Sequence, residues 1–202
     1  MILVIQHIEL KFILKMSLIF MFLSFSFSII GSLFPESSHT YIVGNPFEHN
    51  SVTLEHISGH IFWGGLVGLC TFSIRYVVLG GSFAILLDAD HLLQFLDIEL
   101  VARMSHSIPF AIIVSVILYL ILSKKDFILP TIAFSAILSH IAFDIFIADM
   151  ANMSTSFPIF SPIILDSFNF DGIVWLYIEI IAVVIVLIAK VIDKKKIFCK
   201  TK

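Results

Sequence analysis

The chain has 202 residues, of which 59% are hydrophobic and 13% are charged, and its formal net charge at pH 7 is −3. A soluble domain carries about 25% charged residues, so this composition, with a mean hydropathy of +1.06, excludes an ordinary soluble protein. The two cysteines form neither a disulfide framework nor a zinc-binding spacing. We therefore predict an integral, multi-pass protein of the plasma (cytoplasmic) membrane.

The first element in the chain is an apolar segment over residues 1–34. Crossing a bilayer takes about 20 apolar residues, and residues 16–34 meet that length. No A-x-A cleavage site follows them, so we expect a retained anchor rather than a signal peptide. Residues 1–15 are predicted to lie along the inner membrane interface as an amphipathic segment.

The next apolar stretch, residues 57–92, is too long for one crossing and is interrupted at Arg75. The interruption predicts two helices, 57–74 and 76–92, joined by a tight turn at Arg75. The remaining stretches long enough to cross a bilayer are residues 107–123, 127–147 and 172–189. Together these segments predict six transmembrane helices.

The basic residues predict the orientation, because Lys and Arg favour the cytoplasmic side. With the N-terminus inside, eleven of the 12 Lys and Arg residues fall in inner segments, and only Arg103 falls outside. The outer segments 35–56 and 148–171 contain six acidic residues and neither Lys nor Arg. A five-span arrangement would place the C-terminal lysine cluster outside. The predicted fold class is therefore an all-α, polytopic membrane helical bundle of about six transmembrane helices, N-in/C-in.

On this topology, the ionisable residues within the spans fall in one layer near the outer ends of the helices. They are His60, Asp88, Asp90, His91, His106, His140, Asp144 and Glu179. A charged side chain at the centre of a membrane helix costs about 2.5–3.5 kcal/mol, so such residues usually face the bundle interior and have partners. Because Arg103 is the only basic residue on this side, a divalent cation balances the carboxylates better than salt bridges do.

Several motifs in this layer resemble those of a family of membrane-bound, metal-dependent hydrolase-like proteins, best known from LexA-regulated inner-membrane hydrolases of bacteria. The motifs are His60, LLDADH at 86–91, RMSHS at 103–107, HIAFD at 140–144 and SFPIFSP at 156–162. The chain departs from the family pattern in two places. Leu87 stands where the family usually has Pro, and the first His of a His-Arg stretch is missing near Val101 and Ala102. The missing His weakens the expectation of a second metal site more than that of the first.

The resemblance covers roughly residues 56–165, which we take as a metal-hydrolase-like membrane domain. Residues 1–34 then form an N-terminal interfacial segment and first transmembrane anchor. Residues 172–202 form the last transmembrane helix and a basic cytoplasmic tail. We expect membrane lipids as partners and no nucleic acid, because the tail KKKIFCKTK is short and is typical of a topology anchor or a lipid-headgroup contact.

We assign roles to the polar residues from their chemistry. The expected cofactor is a divalent metal ion, with zinc favoured. The predicted ligands are Asp90, His91, His106 and His140, with His60 as a further candidate. Asp144 or Asp88 is expected to act as general base or to orient a ligand imidazole. Arg103 is expected to bind a phosphate oxygen, whereas Glu179 is expected to be structural or to support a ligand.

These assignments predict a membrane-embedded, metal-dependent hydrolase at the outer face. Its expected substrate is a phosphoester or a lipid-linked molecule, attacked by water that the metal ion activates. Two alternatives stay open. A transporter or ion-conducting protein would use the same Asp and His residues as a relay, and a non-catalytic scaffold would hold a structural metal in a closed coordination sphere.

Overall fold

The computed structural model describes residues 2–33, 53–96, 103–121, 126–152 and 155–200. Within these ranges the protein is mainly α-helical, with one short β-hairpin. The helices are α1 (Ile2–Ile29), α2 (Leu54–Leu69), α3 (Ile74–Leu86), α4 (Ile108–Ile121), α5 (Ile128–Met150) and α6 (Val174–Lys200). The hairpin pairs β1 (Thr155–Phe157) with β2 (Phe168–Phe170) in antiparallel register.

Four helical segments are long and apolar enough to cross a membrane. They are Glu9–Leu33, Ile74–Leu93, Ile128–Met150 and Val174–Lys194. Helix α4 is apolar but shorter, and the 16 residues of α2 rise about 24 Å at 1.5 Å per residue, less than the roughly 30 Å hydrocarbon core. All-α architecture with membrane-length helices is thus confirmed, whereas the six-span, N-in/C-in arrangement stays a prediction.

Helix α1 continues through the boundary that the sequence suggested at residue 15. No Gly or Pro interrupts residues 2–29, so one helix forms where an interfacial segment and a separate anchor were predicted. Its buried face carries Phe20, whose ring stacks on Phe83 of α3 with centroids 4.6 Å apart. This contact holds α1 against the helix that leads into the polar layer.

The turn between α2 and α3 lies at residues 70–73, slightly before the predicted position. Arg75 is therefore in the first turn of α3, where its guanidinium forms an ion pair with Glu9 of α1. Nearby, the Tyr76 hydroxyl donates to Asp126 over 2.8 Å, and Asp126 accepts the first backbone N–H groups of α5. Polar contacts thus tie α1, α3 and α5 together at the end of the bundle that holds Arg75.

Helices α2 and α3 cross at glycines. A Cβ added to Gly64 would collide with the carbonyl of Gly80, and one added to Gly68 would collide with the carbonyl of Tyr76. Small residues one turn apart let two helix backbones approach closely, as in membrane helix pairs. This close crossing sets His60, one turn before Gly64, beside the end of α3.

Helix α5 lies at the centre of the bundle. Its residues 128–145 include a nearly continuous run of buried side chains, because α2, α3, α4 and α6 all pack around it. His140 and Asp144 are one turn apart on this helix and are fully or almost fully buried. The central position of α5 therefore directs both side chains toward the other helices rather than outward.

Candidate metal centre

Eight ionisable side chains gather at one end of the bundle, in what we call the His/Asp cluster. Its members are His56, His60, Asp88, Asp90, His91, His106, His140 and Asp144. They come from α2, from the segment after α3, from the residues that precede α4, and from α5. All are buried or nearly so; the most exposed, His56, has a side-chain exposure of 16%.

The segment after α3 is a 3-10 helix over Leu87–Leu96. A 3-10 helix has three residues per turn, so side chains at i and i+3 project from the same side. Asp88 and His91 have this spacing, and His91 Nε2 lies 3.4 Å from Asp88 Oδ1. The sequence predicted a helix here. The segment that forms is the tighter 3-10 helix, and its three residues per turn place the Asp88 and His91 side chains on the side that faces the cluster.

Asp88 is at the centre of the cluster. Its Oδ1 atom lies 3.3–3.4 Å from the Nε2 atoms of His91, His106 and His140. Its Oδ2 atom lies 3.1 Å from His56 Nε2 and 3.6 Å from His60 Nε2. Five imidazole rings therefore direct the same nitrogen toward one carboxylate.

Asp144, on α5, contacts some of the imidazoles that also contact Asp88. Its Oδ1 atom lies 3.2 Å from His60 Nε2, and its Oδ2 atom lies 3.5 Å from His140 Nε2. Oδ2 is also 3.5 Å from Nη1 of Arg103. Asp144 thus connects the interior of the cluster to the only basic side chain that the described residues place at its edge.

Arg103 occupies the most accessible position around the cluster. Its side chain is 27% exposed, and its guanidinium carbon lies 4.9 Å from the centre of the Phe157 ring. Phe157 belongs to β1 and also stacks near His106, with ring centroids 5.9 Å apart. The hairpin, which lies in the predicted outer segment 148–171, therefore packs against both the His106 imidazole and the Arg103 guanidinium.

The orientation of His140 is fixed by a backbone group. His140 Nδ1 lies 2.8 Å from the carbonyl oxygen of Ala84. A carbonyl can only accept, so Nδ1 carries the proton, and in the neutral ring Nε2 presents its lone pair to the cluster. His140 Nε2 is 2.9 Å from His106 Nε2, which places two potential nitrogen ligands side by side.

Asp90 lies on the Nδ1 side of the His106 ring, away from the Nε2 atoms that converge on Asp88. Its Oδ2 atom is 3.6 Å from His106 Nδ1 and accepts hydrogen bonds of 3.4 Å from Ser28 and Ser105. A carboxylate on the far nitrogen of a ligand histidine commonly orients the ring. Burial lowers the pKa of His106, which favours the neutral imidazole that a metal ion needs.

The donor set fits a divalent metal ion. Four groups of three residues have ligand atoms within 4.8 Å of one another: His56, His60 and Asp88; His60, His140 and Asp144; Asp88, His106 and His140; and Asp88, Asp90 and His91. Among the residues described, Asp88 Oδ1, Asp90 Oδ1 and His60 Nδ1 accept or donate no well-aligned hydrogen bond. Buried imidazoles and carboxylates in this arrangement could hold a metal ion.

The structure brings together every site residue predicted from the sequence. The cluster contains the five predicted ligands together with Asp88 and Asp144, and Arg103 adjoins it. Glu179 is buried on α6 and belongs to none of the ligand-atom groups in the described parts of the chain. His56 was not predicted as a ligand, although its spacing of four residues from His60 placed both on one helical face.

No family model, no characterised protein and no solved structure matches this chain. The family resemblance of the LLDADH and HIAFD motifs therefore stays a prediction.

Proposed function

We propose that this protein is a membrane-embedded, metal-dependent hydrolase that acts on a phosphoester, with a lipid-linked phosphoester favoured. The observation that carries the proposal is the convergence of five imidazole Nε2 atoms on the Asp88 carboxylate. Burying that many ionisable groups in an apolar bundle is costly unless a cation compensates them. A structural salt-bridge network would instead need basic partners in similar number.

The imidazoles of the cluster and the Asp88 carboxylate would hold the metal ion. When bound, a divalent ion lowers the pKa of a coordinated water to about 7 and polarises a phosphoryl oxygen. The Ala84 carbonyl keeps His140 in the tautomer that suits a ligand. Asp90 acts on His106 through the Ser105 hydroxyl, which lies 3.3 Å from His106 Nδ1 and donates to Asp90 Oδ2, so we assign Asp90 to orientation in place of direct ligation.

Asp144 is better placed than Asp88 to act as general base. Asp88 is surrounded by five imidazoles, whereas Asp144 reaches the edge of the cluster beside Arg103. A carboxylate there can accept the proton of an attacking water. Arg103 can donate to a phosphate oxygen, because a guanidinium matches the geometry of that group.

A lipid-linked substrate is favoured by the apolar surroundings of the cluster. Leu92 and Phe95 of the 3-10 segment are about half exposed, at 50% and 51%. In the loop of the hairpin, Ile163 is 78% exposed and Phe160 is 41% exposed. Exposed apolar side chains around a polar site suit an end of the bundle that meets lipid acyl chains. The plasma membrane and its outer face belong to the proposal as its setting.

The test begins with the metal content of the purified full chain, measured with its hydrolysis of phosphomonoester, phosphodiester and phospholipid substrates in detergent micelles. Wild type should contain a divalent ion and hydrolyse at least one of these classes. Asp88→Asn should lose both properties, and Glu55→Gln, an exposed change in the first turn of α2, should retain them. Equally low metal content in wild type and Asp88→Asn would contradict the proposal.

A transporter is the second candidate, and one observation favours it. Thr131, Ser135 and Ser139 lie one turn apart on α5, all of them buried, and continue along the helix from His140. The Ser135 hydroxyl and both Glu179 carboxylate oxygens lack a well-aligned hydrogen-bond partner among the described residues. Such a row of polar groups would suit a proton or cation path away from the cluster.

Reconstitution into liposomes separates the two candidates. A transporter predicts proton or divalent-ion flux that Glu179→Gln and Ser135→Ala reduce. A hydrolase predicts that these two variants keep wild-type hydrolysis, because neither residue belongs to the His/Asp cluster. Flux without hydrolysis would favour the transporter.

A further inference from the structure

The two carboxylates at the centre of the His/Asp cluster divide it into two halves. Each half contains one oxygen of Asp88, one oxygen of Asp144 and two imidazole nitrogens. The first lobe consists of His56 Nε2, His60 Nε2, Asp88 Oδ2 and Asp144 Oδ1. The second lobe consists of His106 Nε2, His140 Nε2, Asp88 Oδ1 and Asp144 Oδ2.

The atoms of the first lobe are spaced as ligands of one ion. The two nitrogens are 2.8 Å apart. Asp88 Oδ2 lies 3.1 Å and 3.6 Å from them, and Asp144 Oδ1 lies 3.8 Å and 3.2 Å from them. Four ligands at about 2.0–2.1 Å from a tetrahedral ion are about 3.3–3.4 Å from one another. The first-lobe distances fall on both sides of that value.

In the second lobe, Asp88 Oδ1 contacts both imidazoles, whereas Asp144 Oδ2 lies within 4 Å of His140 Nε2 but not of His106. The two nitrogens of this lobe are 2.9 Å apart, and Asp88 Oδ1 lies 3.4 Å from His106 Nε2 and 3.3 Å from His140 Nε2. Asp144 Oδ2 lies 3.5 Å from His140 Nε2. His91 Nε2 also approaches Asp88 Oδ1, at 3.4 Å, and adds a third imidazole on this side of Asp88.

The two lobes are adjacent and share their carboxylates. The rings of His60 and His140 stack with their centroids 3.7 Å apart and their planes at 7°, and each ring belongs to a different lobe. Ions in two-metal hydrolytic sites are about 3.5–4 Å apart. The stacking distance between the rings therefore matches the spacing that two neighbouring ions require.

We propose that the His/Asp cluster binds two divalent ions, bridged by the two oxygens of Asp88, with Asp144 beside both ions as the proposed general base. His56 and His60 would hold the ion of the first lobe, and His106 and His140 would hold the ion of the second. This inference rests on the proposed metal-dependent function and deepens it. It assigns His56 to the ion of the first lobe, apart from the ion that His106 and His140 hold.

The paired site also narrows the substrate class. Two divalent ions carry four positive charges, and Arg103 carries one more. Asp88, Asp90 and Asp144 carry three negative charges. The excess of positive charge suits an anionic substrate. Paired ions stabilise the attacking and the leaving oxygen of a phosphoester during in-line displacement. A phosphoester also carries the negative charge that the site favours, so it fits better than a neutral carboxylic ester or amide.

The experiment counts ions in the full chain, stripped of metal with a chelator in detergent and then titrated with Mn²⁺ alone. Wild type should bind two Mn²⁺ per chain and show the multi-line electron paramagnetic resonance spectrum of a coupled pair. His56→Gln should bind one and show the spectrum of an isolated ion. Glu55→Gln, next to His56 in the first turn of α2, should behave as wild type.

The outcomes separate this inference from the proposed function. One Mn²⁺ in wild type, with the same number in His56→Gln, would overturn the paired site and leave a single-ion hydrolase standing. No binding to wild type would overturn both. If His56→Gln does not fold, the count and the coupled spectrum of wild type decide the question, because an isolated ion gives no coupling.

Discussion

His140 donates from Nδ1 to the backbone carbonyl of Ala84 over 2.8 Å, linking the central helix α5 to α3. The bond fixes the ring with Nε2 facing Asp88 Oδ1, 3.3 Å away. A side chain held from behind by a backbone group has little freedom to rotate, so the nitrogen is positioned before any ion binds. His140 is therefore the ligand whose loss should matter most.

His140→Gln should weaken metal binding at least 100-fold. The amide can still donate to the Ala84 carbonyl, but it supplies no imidazole nitrogen to the cluster. Competition with a chromogenic chelator measures the affinity. The same number of ions as wild type, each bound with an affinity within about threefold of wild type, would show that His140 is not a ligand.

Asp90→Asn should weaken metal binding about 10- to 100-fold without changing the number of ions bound. This is the range expected for a group that orients a ligand histidine, the role that we propose for Asp90 toward His106. Affinity and stoichiometry are measured on the same preparation. A lower stoichiometry would instead identify Asp90 as a direct ligand, as the sequence predicted.

Gly64→Ala should destabilise the fold by about 1–3 kcal/mol, the range for an overpacked interior, and should weaken metal binding. The added methyl group would push α2 away from the Gly80 carbonyl and carry His60 away from Asp88. Thermal unfolding in detergent measures the loss.

Gly65→Ala is the matched control for that change. Its added Cβ would meet its nearest neighbours, atoms of Val77, at 3.7 Å and 3.8 Å, which are ordinary contact distances. Stability should therefore be unchanged or slightly higher, since Ala favours a helix over Gly. Equal destabilisation by both variants would argue against a close glycine crossing.

Metal retention should depend on pH. Ligand imidazoles must be neutral, and burial lowers the pKa of His106 below the ordinary value, near 6.5. Because His106 then stays unprotonated until the pH falls below that value, it should not release the ion near neutrality. Dialysis at a series of pH values between 8 and 5 should show loss only in the acidic part. Release of the ion between pH 8 and 7 would contradict ligation by His106.

Arg103→Gln should raise KM for a phosphoester at least tenfold while the metal content stays at the wild-type value. The guanidinium lies at the edge of the cluster, beside Asp144, where it can contact substrate without holding an ion. Arg103→Lys keeps the charge but loses the planar fork of donors, so it should recover part of the loss. Reduced metal content in Arg103→Gln would indicate a structural role through Asp144.

Much of the cluster could be predicted because ionisable residues are expensive in apolar helices. His140 and Asp144 are one turn apart in a buried helix, so they lie on the same face of that helix whatever its packing. Asp88 and His91 end an apolar run, and the helix that contains them leads to the same layer. Each of these features belongs to a single segment, and periodicity in the sequence can predict such features.

Other parts depend on contacts between distant segments. Ser28 reaches Asp90 from α1, 62 positions earlier in the chain, and nothing near Ser28 in the sequence indicates that contact. His56 lies near the start of α2, where a histidine is usually solvated, and it joins the cluster because α2 and α3 cross closely. The 3-10 winding and the hairpin under Arg103 likewise follow from tertiary packing rather than from local periodicity.

The glycine crossing of α2 and α3 also affects how the protein assembles. These helices are neighbours in sequence, and together with the 3-10 segment after α3 they supply His56, His60, Asp88, Asp90 and His91. His106, His140 and Asp144 arrive only when α4 and α5 dock. A bound ion would therefore connect the earlier and the later helices of the chain. It would stabilise the assembled form by about 4 kcal/mol when the free-ion concentration is a thousand times its dissociation constant. Depriving growing cells of the metal should then lower the amount of folded protein as well as its activity.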